Sequence, residues 1–104
     1  MHTEQTCVFE MGYTQQEFES VLNSGFTNQR SPYRCQAESD SDWLVIHQHN
    51  PFQVLISLKP LPPRRLGAIA LPVLSVQFTV LQNSAFQSDN FFDKFFKYFH
   101  KGGG

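Results

Sequence analysis

The sequence predicts an α+β domain, a two-layer sandwich in which an antiparallel sheet of four to five strands carries two helices on one face. Three observations predict this class: an early helix introduced by a capping box, a central series of segments with alternating apolar residues, and a final helix striped with phenylalanines. The first helix belongs to the N-terminal half and the aromatic helix is C-terminal. Because no helix separates the central strands, a parallel sheet is not expected.

The first strand and the first helix follow each other closely. Residues 6–11 contain a short apolar run and predict a strand. Thr14 and Glu17 have the spacing of a capping box, in which each side chain bonds the other residue's backbone N–H. The helix is therefore expected over residues 14–24, with Gly25 as the left-handed residue that ends it.

The middle of the chain changes to a period of two. This alternation predicts strands over residues 33–38 and 43–49, joined as a hairpin by turn-forming residues 39–42. After a turn at residues 50–51, a third strand is expected over residues 52–58. Apolar residues alternate along one side of it, so one face of the sheet is expected to be buried and the other mostly wet.

Residues 59–65 read KPLPPRR and predict an exposed connector. Three prolines leave few donors for a sheet ladder and hold the chain extended. Strands are expected to resume over residues 66–71 and 74–80, with Pro72 between them as a bulge or an edge break.

The last predicted element is the aromatic helix. A loop over residues 82–87 precedes it, Ser88, Asp89 or Asn90 is expected to cap it, and Gly102 to end it. Five phenylalanines at i, i+1, i+4, i+5 and i+8 form one stripe: Phe91, Phe92, Phe95, Phe96 and Phe99. Packing against the sheet is the simpler interpretation, and an interior cavity or a dimer interface stays open.

Length and composition favour a single domain over residues 1–104, with 102–104 as a flexible glycine tail. Hydrophobic residues make up 40% of the chain and charged residues 16%, which is too apolar for a disordered segment. A basic segment followed by an apolar run is missing at the start, and no apolar stretch reaches the roughly 18 residues of a spanning helix. We therefore expect a cytoplasmic protein without membrane association.

Charge is distributed unevenly along the chain. Residues 1–42 hold seven acids and two arginines, a net charge of −5, and residues 43–88 hold three bases and no acid, a net charge of +3. Residues 89–104 hold two acids and three lysines, so the three segments sum to the net charge of −1. This pattern predicts either an acidic and a basic side, suited to a complementary partner, or charges that interleave after folding.

The basic residues of the predicted connector, Lys59, Arg64 and Arg65, are the candidate anion-binding or partner-binding residues. Paired guanidinium groups bind carboxylates and phosphates through two parallel hydrogen bonds. Nucleic acid is not an expected partner, because the whole chain has only eight lysines and arginines and a pI near 6.4. A solvated segment that protects a sheet edge is the alternative interpretation.

Neither a metal site nor catalytic residues are predicted. His47 and His49 are two residues apart on a predicted strand and share one face, but a zinc site needs three or four ligands. Cys7 and Cys35 lack metal-binding spacing and are expected to be reduced, buried thiols. Motifs of phosphate-binding loops, serine hydrolases and zinc proteases are missing from the sequence. A third hypothesis is a weak enzyme in which His47 or His49 lies in a cleft beside an acid such as Glu38.

The stretch RRLGAIALPVLSVQFTV, followed by FFDKFFKYFHKGGG, carries a resemblance. It resembles the C-terminal half of a group of small uncharacterised bacterial proteins that share a basic loop, a strand pair broken at Leu-Pro, an aromatic helix and a glycine tail. The likeness covers about the last forty residues. It implies a bacterial cytosolic protein with a strand-then-helix ending, and it implies no activity.

These observations favour a non-catalytic binding or protein-interaction module that uses residues 59–65 as its contact surface. The partner is expected to be another protein or a second copy in a weak homo-oligomer, with no cofactor, no nucleic acid and no membrane. The alternative is a small-ligand or cofactor-handling domain with a pocket between the helices and the sheet.

Overall fold

A computed structural model describes residues 5–26, 31–49, 51–82 and 85–99 of the chain. Within these residues, five strands and two helices follow one another in the order β1 (Gln5–Met11), α1 (Gln15–Phe26), β2 (Tyr33–Ala37), β3 (Asp42–His47), β4 (Gln53–Leu66), β5 (Ile69–Gln82) and α2 (Ala85–Tyr98). The five strands form one sheet in the order β1-β5-β4-β3-β2, and every neighbouring pair is antiparallel. The predicted α+β class with two helices is therefore confirmed.

Side chains alternate between the two faces of the sheet. On β4, Val54, Ile56 and Leu58 are buried on the helix side, whereas Leu55 and Ser57 are half-buried on the other side. The register carries this division across the sheet, since paired residues share a face. We call the helix-free side the open face; its central residues are Val8, Leu44, Leu55, Gln77 and Thr79.

The capping box at the start of α1 has the predicted hydrogen bonds. The Glu17 backbone N–H donates to the Thr14 hydroxyl oxygen at 3.1 Å, and the Thr14 N–H donates to a Glu17 carboxylate oxygen at 2.9 Å. The helix then extends to Phe26, two residues beyond the predicted end at residue 24. The prediction that Gly25 ends the helix is wrong, because Gly25 lies inside α1 without a positive φ.

Aromatic rings fill the layer between the helices and the sheet. Phe95 lies at its centre, with ring centroids 4.2 Å from Phe99 and 4.8 Å from Phe78. Among the side chains that the structure describes, six phenylalanines are completely buried: Phe18, Phe26, Phe52, Phe78, Phe91 and Phe95. They come from both helices, the sheet and the turn before β4, so this cluster joins the two layers.

Helix α2 begins earlier than predicted. It starts at Ala85, so residues 88–90 lie within the helix and the expected cap at Ser88, Asp89 or Asn90 is wrong. The bounds of the expected loop over 82–87 are also wrong, since β5 continues to Gln82 and α2 already begins at Ala85. Helix α2 ends at Tyr98, and the expected stop at Gly102 lies outside the described residues.

The phenylalanine stripe of α2 divides into two parts. Phe91, Phe95 and Phe99 are buried, Phe92 is half-buried, and Phe96 remains 43% exposed beside Phe9 of β1. Phe91 and Phe95 point toward the centre of the sheet, whereas Phe92 and Phe96 lie toward the β1 edge. Packing therefore accounts for most of the stripe and leaves one ring partly in solvent.

Two predicted interruptions of the sheet are wrong. Residues 59–65 are not a connector, because β4 runs without a break from Gln53 to Leu66. The edge break expected at Pro72 is absent, because β5 runs from Ile69 to Gln82. The alternative, a bulge, is present opposite Pro72, where the register shifts between Leu61 and Arg64 of β4. The chain instead forms one long hairpin, which the prolines modify and do not end.

Candidate functional site

The distal part of the β4–β5 hairpin projects past the rest of the sheet. The first residue of β3, Asp42, pairs with Ser57 on β4, and the last residue of β1, Met11, pairs with Leu74 on β5. Beyond these points, among the residues that the structure describes, the two long strands pair only with each other. We call residues 59–73 the arm; it contains Lys59, Arg64 and Arg65.

The turn at the tip of the arm explains how the hairpin forms. Leu66 pairs with Ile69, so the turn consists of Gly67 and Ala68 alone. Gly67 has a φ of 63°, and the following alanine has no positive φ. A glycine in the first central position is the signature of a type II′ turn, whose twist matches that of antiparallel strands. The arm therefore has a regular two-residue hairpin turn.

Prolines alter the arm without dissolving it. The register shifts between Leu61 and Arg64, where Pro62 and Pro63 lie opposite Pro72. This two-against-one arrangement is a β-bulge, which tolerates prolines because the inserted residue is outside the ladder. The prolines remove backbone donors as the sequence predicts, but Pro62 and Pro63 lie together in one bulge, and Pro60 stays paired with Leu74.

Proline also protects the outer edge of the arm. The Leu58 N–H donates to the Ser41 carbonyl at 2.8 Å, so Leu58 directs its backbone donor toward β3. Pro60 occupies the equivalent position two residues further on, where β3 has already ended, and it has no N–H to offer there. An added strand would therefore find a gap at this edge.

The side chains of the arm are mostly exposed. Lys59, Arg64 and Arg65 are all exposed, and the aliphatic residues near the tip, Leu66 and Ile69, are 58% and 61% exposed. Leu71 is 42% exposed. The arm therefore combines cationic and aliphatic groups that the core of the domain does not use.

The register separates these groups between the two faces of the arm. Arg64 pairs with Leu71, and Leu66 pairs with Ile69, on the face that continues the open face of the sheet. Arg65 pairs with Ala70 on the opposite face. The face that continues the open face therefore presents three exposed aliphatic side chains, Leu66, Ile69 and Leu71, beside the guanidinium group of Arg64.

Acidic groups lie at the base of the arm. The Arg64 Nη2 atom is 3.9 Å from the Glu10 Oε1 atom, in a pair whose side chains are 65% and 59% exposed. An ion pair with this exposure contributes little to stability. Asp40 and Asp42 belong to the turn whose Ser41 carbonyl bonds Leu58, so they lie at the same end of the sheet. Basic and acidic segments therefore meet at this end.

The two histidines do not form a metal site with their neighbours. His47 ends β3, and its Nδ1 atom accepts a hydrogen bond from the His49 backbone N–H at 3.0 Å. The His47 ring also packs edge-on against Tyr33, with centroids 5.1 Å apart. No group of three or more histidine, cysteine, aspartate and glutamate residues within the described parts of the chain could hold a metal.

Burial and two nearby bases affect the titration of His47. Burial lowers its pKa most, and His49 and Lys94 lower that pKa further through charge repulsion. Glu38 cannot assist, because Tyr33 pairs with His47 at one end of β2 whereas Glu38 follows the other end. The structure therefore does not bring His47 and Glu38 together.

The cysteines are separated and are not activated. Cys7 lies on β1 and Cys35 on β2, at opposite edges of the sheet, and both are free and half-buried. Burial raises the pKa of Cys35 to about 12 and also raises the pKa of Cys7. Since the thiolate is the nucleophile, neither position favours thiol chemistry at neutral pH.

Sequence reasoning identified the cations of the arm but missed its aliphatic residues. The predicted strand over residues 66–71 is wrong, because the turn at Gly67 and Ala68 divides these residues between the end of β4 and the start of β5. A local signal existed, since Leu-Gly-Ala-Ile is a two-residue turn with glycine first, flanked by strand-forming residues. Pairing across that turn would have placed Leu66, Ile69 and Leu71 at the end of a hairpin.

Comparison with models of protein families and with curated proteins gives no match. The resemblance to small bacterial proteins therefore stays a prediction. In the part of the chain that the structure describes, neither helix has the length and apolar character needed to cross a bilayer.

Proposed function

We propose that this protein is a non-catalytic protein-interaction module whose contact surface is the arm. The observation that supports the proposal is the exposure of Arg64, Arg65, Leu66 and Ile69 on a hairpin that extends beyond the sheet. These residues are unnecessary for covering the core. Large aliphatic side chains grouped on a protruding element are typical of interaction sites.

The chemistry of the arm defines the partner. Leu66, Ile69 and Leu71 would enter an apolar depression, and Arg64 and Arg65 would pair with carboxylates at its rim. The partner is thus a protein with an acidic border around an aliphatic or aromatic pocket. The proposal places this interaction in the cytoplasm. Arginine suits this role because its planar guanidinium group bonds a carboxylate bidentately.

Charge reversal on the arm tests this proposal. Arg64→Glu combined with Arg65→Glu should abolish retention of the partner from cell lysate, because both rim contacts become repulsive. The two side chains are exposed, so the free energy of unfolding should change by no more than about 0.5 kcal/mol. Quantitative mass spectrometry of the retained proteins measures the effect.

The control is a second double variant with the same change in net charge. Arg34→Glu combined with Lys97→Glu alters two exposed bases on β2 and α2, away from the arm. This variant should retain the partner. Equal retention by the wild-type chain and the arm variant would refute the arm as the contact surface.

A further inference from the structure

The outer side of β1 is an open sheet edge. β1 is the first strand in the sheet order, and within the described chain only β5 pairs with it. Its seven residues, QTCVFEM, contain no proline and a single charge, Glu10. An edge with these properties readily accepts another strand, because its backbone donors and acceptors lack a sheet partner.

Apolar side chains flank this edge on both faces of the sheet. Val8 is 55% exposed on the open face. On the helix side, Phe96 is 43% exposed, and its ring lies 5.3 Å from Phe9 and stacks 6.2 Å from Phe92. A strand added to β1 would cover both exposed groups. The arm differs, since prolines interrupt its outer edges and β1 has none.

We propose that the β1 edge binds the β1 edge of a second copy of this chain, giving a symmetric dimer with a continuous sheet. A two-fold axis perpendicular to the sheet makes the two β1 strands antiparallel. The five-stranded sheets then join as one sheet of twice that number. The proposal does not require the arm as a contact surface; the arm lies outside the interface, and its Arg64 is 3.9 Å from Glu10 of the same chain.

Charge and shape select the register of this pairing. If Val8 lies on the two-fold axis, it faces Val8 of the second copy, and Glu10 faces Thr6 of that copy. No like charges then oppose each other, and Cys7 faces Phe9 on the helix side. A second copy fits the edge for this reason: the apolar centre of β1 meets itself and its one charge meets a hydroxyl.

The helices leave room for this arrangement. Rings of α2 pack on Phe78 of β5, so α2 lies about one and a half strand spacings from the axis. The two α2 helices would be about 14 Å apart, given a strand spacing of about 4.8 Å. This separation exceeds direct helix contact, and Phe96 of each copy is positioned to fill it.

The expected interface is small. Seven paired residues extend about 24 Å, and a helix layer on a sheet is about 20 Å thick, which gives ~480 Å² from each copy. The total lies near the lower limit of about 1,000 Å² for specific interfaces. The dimer should therefore be weak and visible only at high concentration.

Sedimentation velocity over a concentration series tests the proposal. Wild-type chain should pass from monomer to dimer as the concentration rises. Thr6→Glu should weaken the dimer and Thr6→Lys should strengthen it, each by about two- to thirty-fold, because two symmetric pairs with Glu10 change together. Gln77→Lys, on the open face one strand inward, should leave the dimer unchanged.

A disulfide tests the register directly. Val8→Cys should cross-link two copies under mild oxidation, because opposed Cα atoms in antiparallel strands lie within disulfide range. Gln77→Cys should not cross-link. A chain that stays monomeric at high concentration overturns the proposal, even if the edge then binds an extended peptide. The proposal is also overturned if Gln77→Lys dissociates the dimer while Thr6→Glu and Thr6→Lys leave it unchanged.

Discussion

Gly25 allows the two helices to approach each other closely. A Cβ atom at this position would lie 2.9 Å from the Cγ atom of Tyr98, a distance that forces the ring or the helix to move. The sequence indicated a helix stop at Gly25, because glycine after polar residues is common there. The tertiary contact with Tyr98 determines its role instead, and no local pattern reveals such a contact.

Replacing this glycine should expose the conflict. Gly25→Ala should reduce the free energy of unfolding by about 1–2 kcal/mol, since overpacking outweighs the better helix propensity of alanine. In a Tyr98→Ala background the same change should be neutral or stabilising by up to about 1 kcal/mol. Urea unfolding measures both, and Gly12→Ala serves as control because no atom lies within 4 Å of its added Cβ. A destabilisation that persists without the Tyr98 ring would contradict this interpretation.

His47 should make stability depend on pH. Burial lowers its pKa in the folded chain, so the unfolded chain takes up the proton first as the pH falls. The contribution of neutral His47 to the free energy of unfolding is fully present above the ordinary histidine pKa of 6.5. It is lost as the pH falls toward the lower pKa of the folded chain. Between pH 7.5 and pH 5.5, roughly the range over which histidine titrates, the free energy of unfolding should fall less for His47→Gln than for the wild-type chain. Urea unfolding at the two pH values measures the loss for each chain. Equal losses for the wild-type chain and for His47→Gln would be incompatible with this cause.

At the scale of single elements, α1 was predictable because its start signal is local. Thr14 and Glu17 are three residues apart and bond each other's backbone, so no other part of the chain is needed to interpret them. The arm was not predictable in the same way. Its prolines argue against a strand locally, and only the pairing of Pro62 and Pro63 with Pro72 in one bulge makes the strand compatible with them.

The capping box gives a prediction for α1. Thr14→Ala should lower the free energy of unfolding by about 1 kcal/mol, because the Glu17 N–H loses its acceptor. Thr14→Ser should retain most of that stability, since serine offers an equivalent hydroxyl. Ser20→Ala, on an exposed position within α1, is the control and should have no destabilising effect. Thermal unfolding of the three variants measures these changes. Equal stabilities of Thr14→Ala and Thr14→Ser would be inconsistent with capping by Thr14.

At the scale of the molecule, the aromatic layer holds the helices on the sheet. Phe95 and Phe96 are neighbours in sequence, but the first is completely buried and the second is 43% exposed. The periodicity placed both in one stripe, because spacing along a helix does not reveal where the sheet ends. β1 and β5 pair with each other although they are far apart in the sequence. This long-range pairing determines which ring lies at the edge of the sheet.

This difference predicts unequal costs of truncation. Phe95→Ala should reduce the free energy of unfolding by about 3–5 kcal/mol through loss of burial and formation of a cavity. Phe96→Ala should cost about 1 kcal/mol, because part of that ring is already in solvent. Urea unfolding in dilute solution measures the free energy of unfolding of both variants. Similar losses would mean that the stripe is buried as a whole.

If the arm carries the contact surface, as we propose, the folded core should not need it. Replacing residues 62–72 with Asn-Gly joins the pair Leu61 and Val73 through a two-residue turn. The removed side chains are exposed or pair only within the arm, so the free energy of unfolding should change by about 1 kcal/mol or less.

The decisive measurement is the retention of lysate proteins by this shortened chain, quantified against the full chain. We expect the shortened chain to fold and to lose the proteins that the full chain retains. A folded shortened chain that keeps the same set of proteins would contradict the claim.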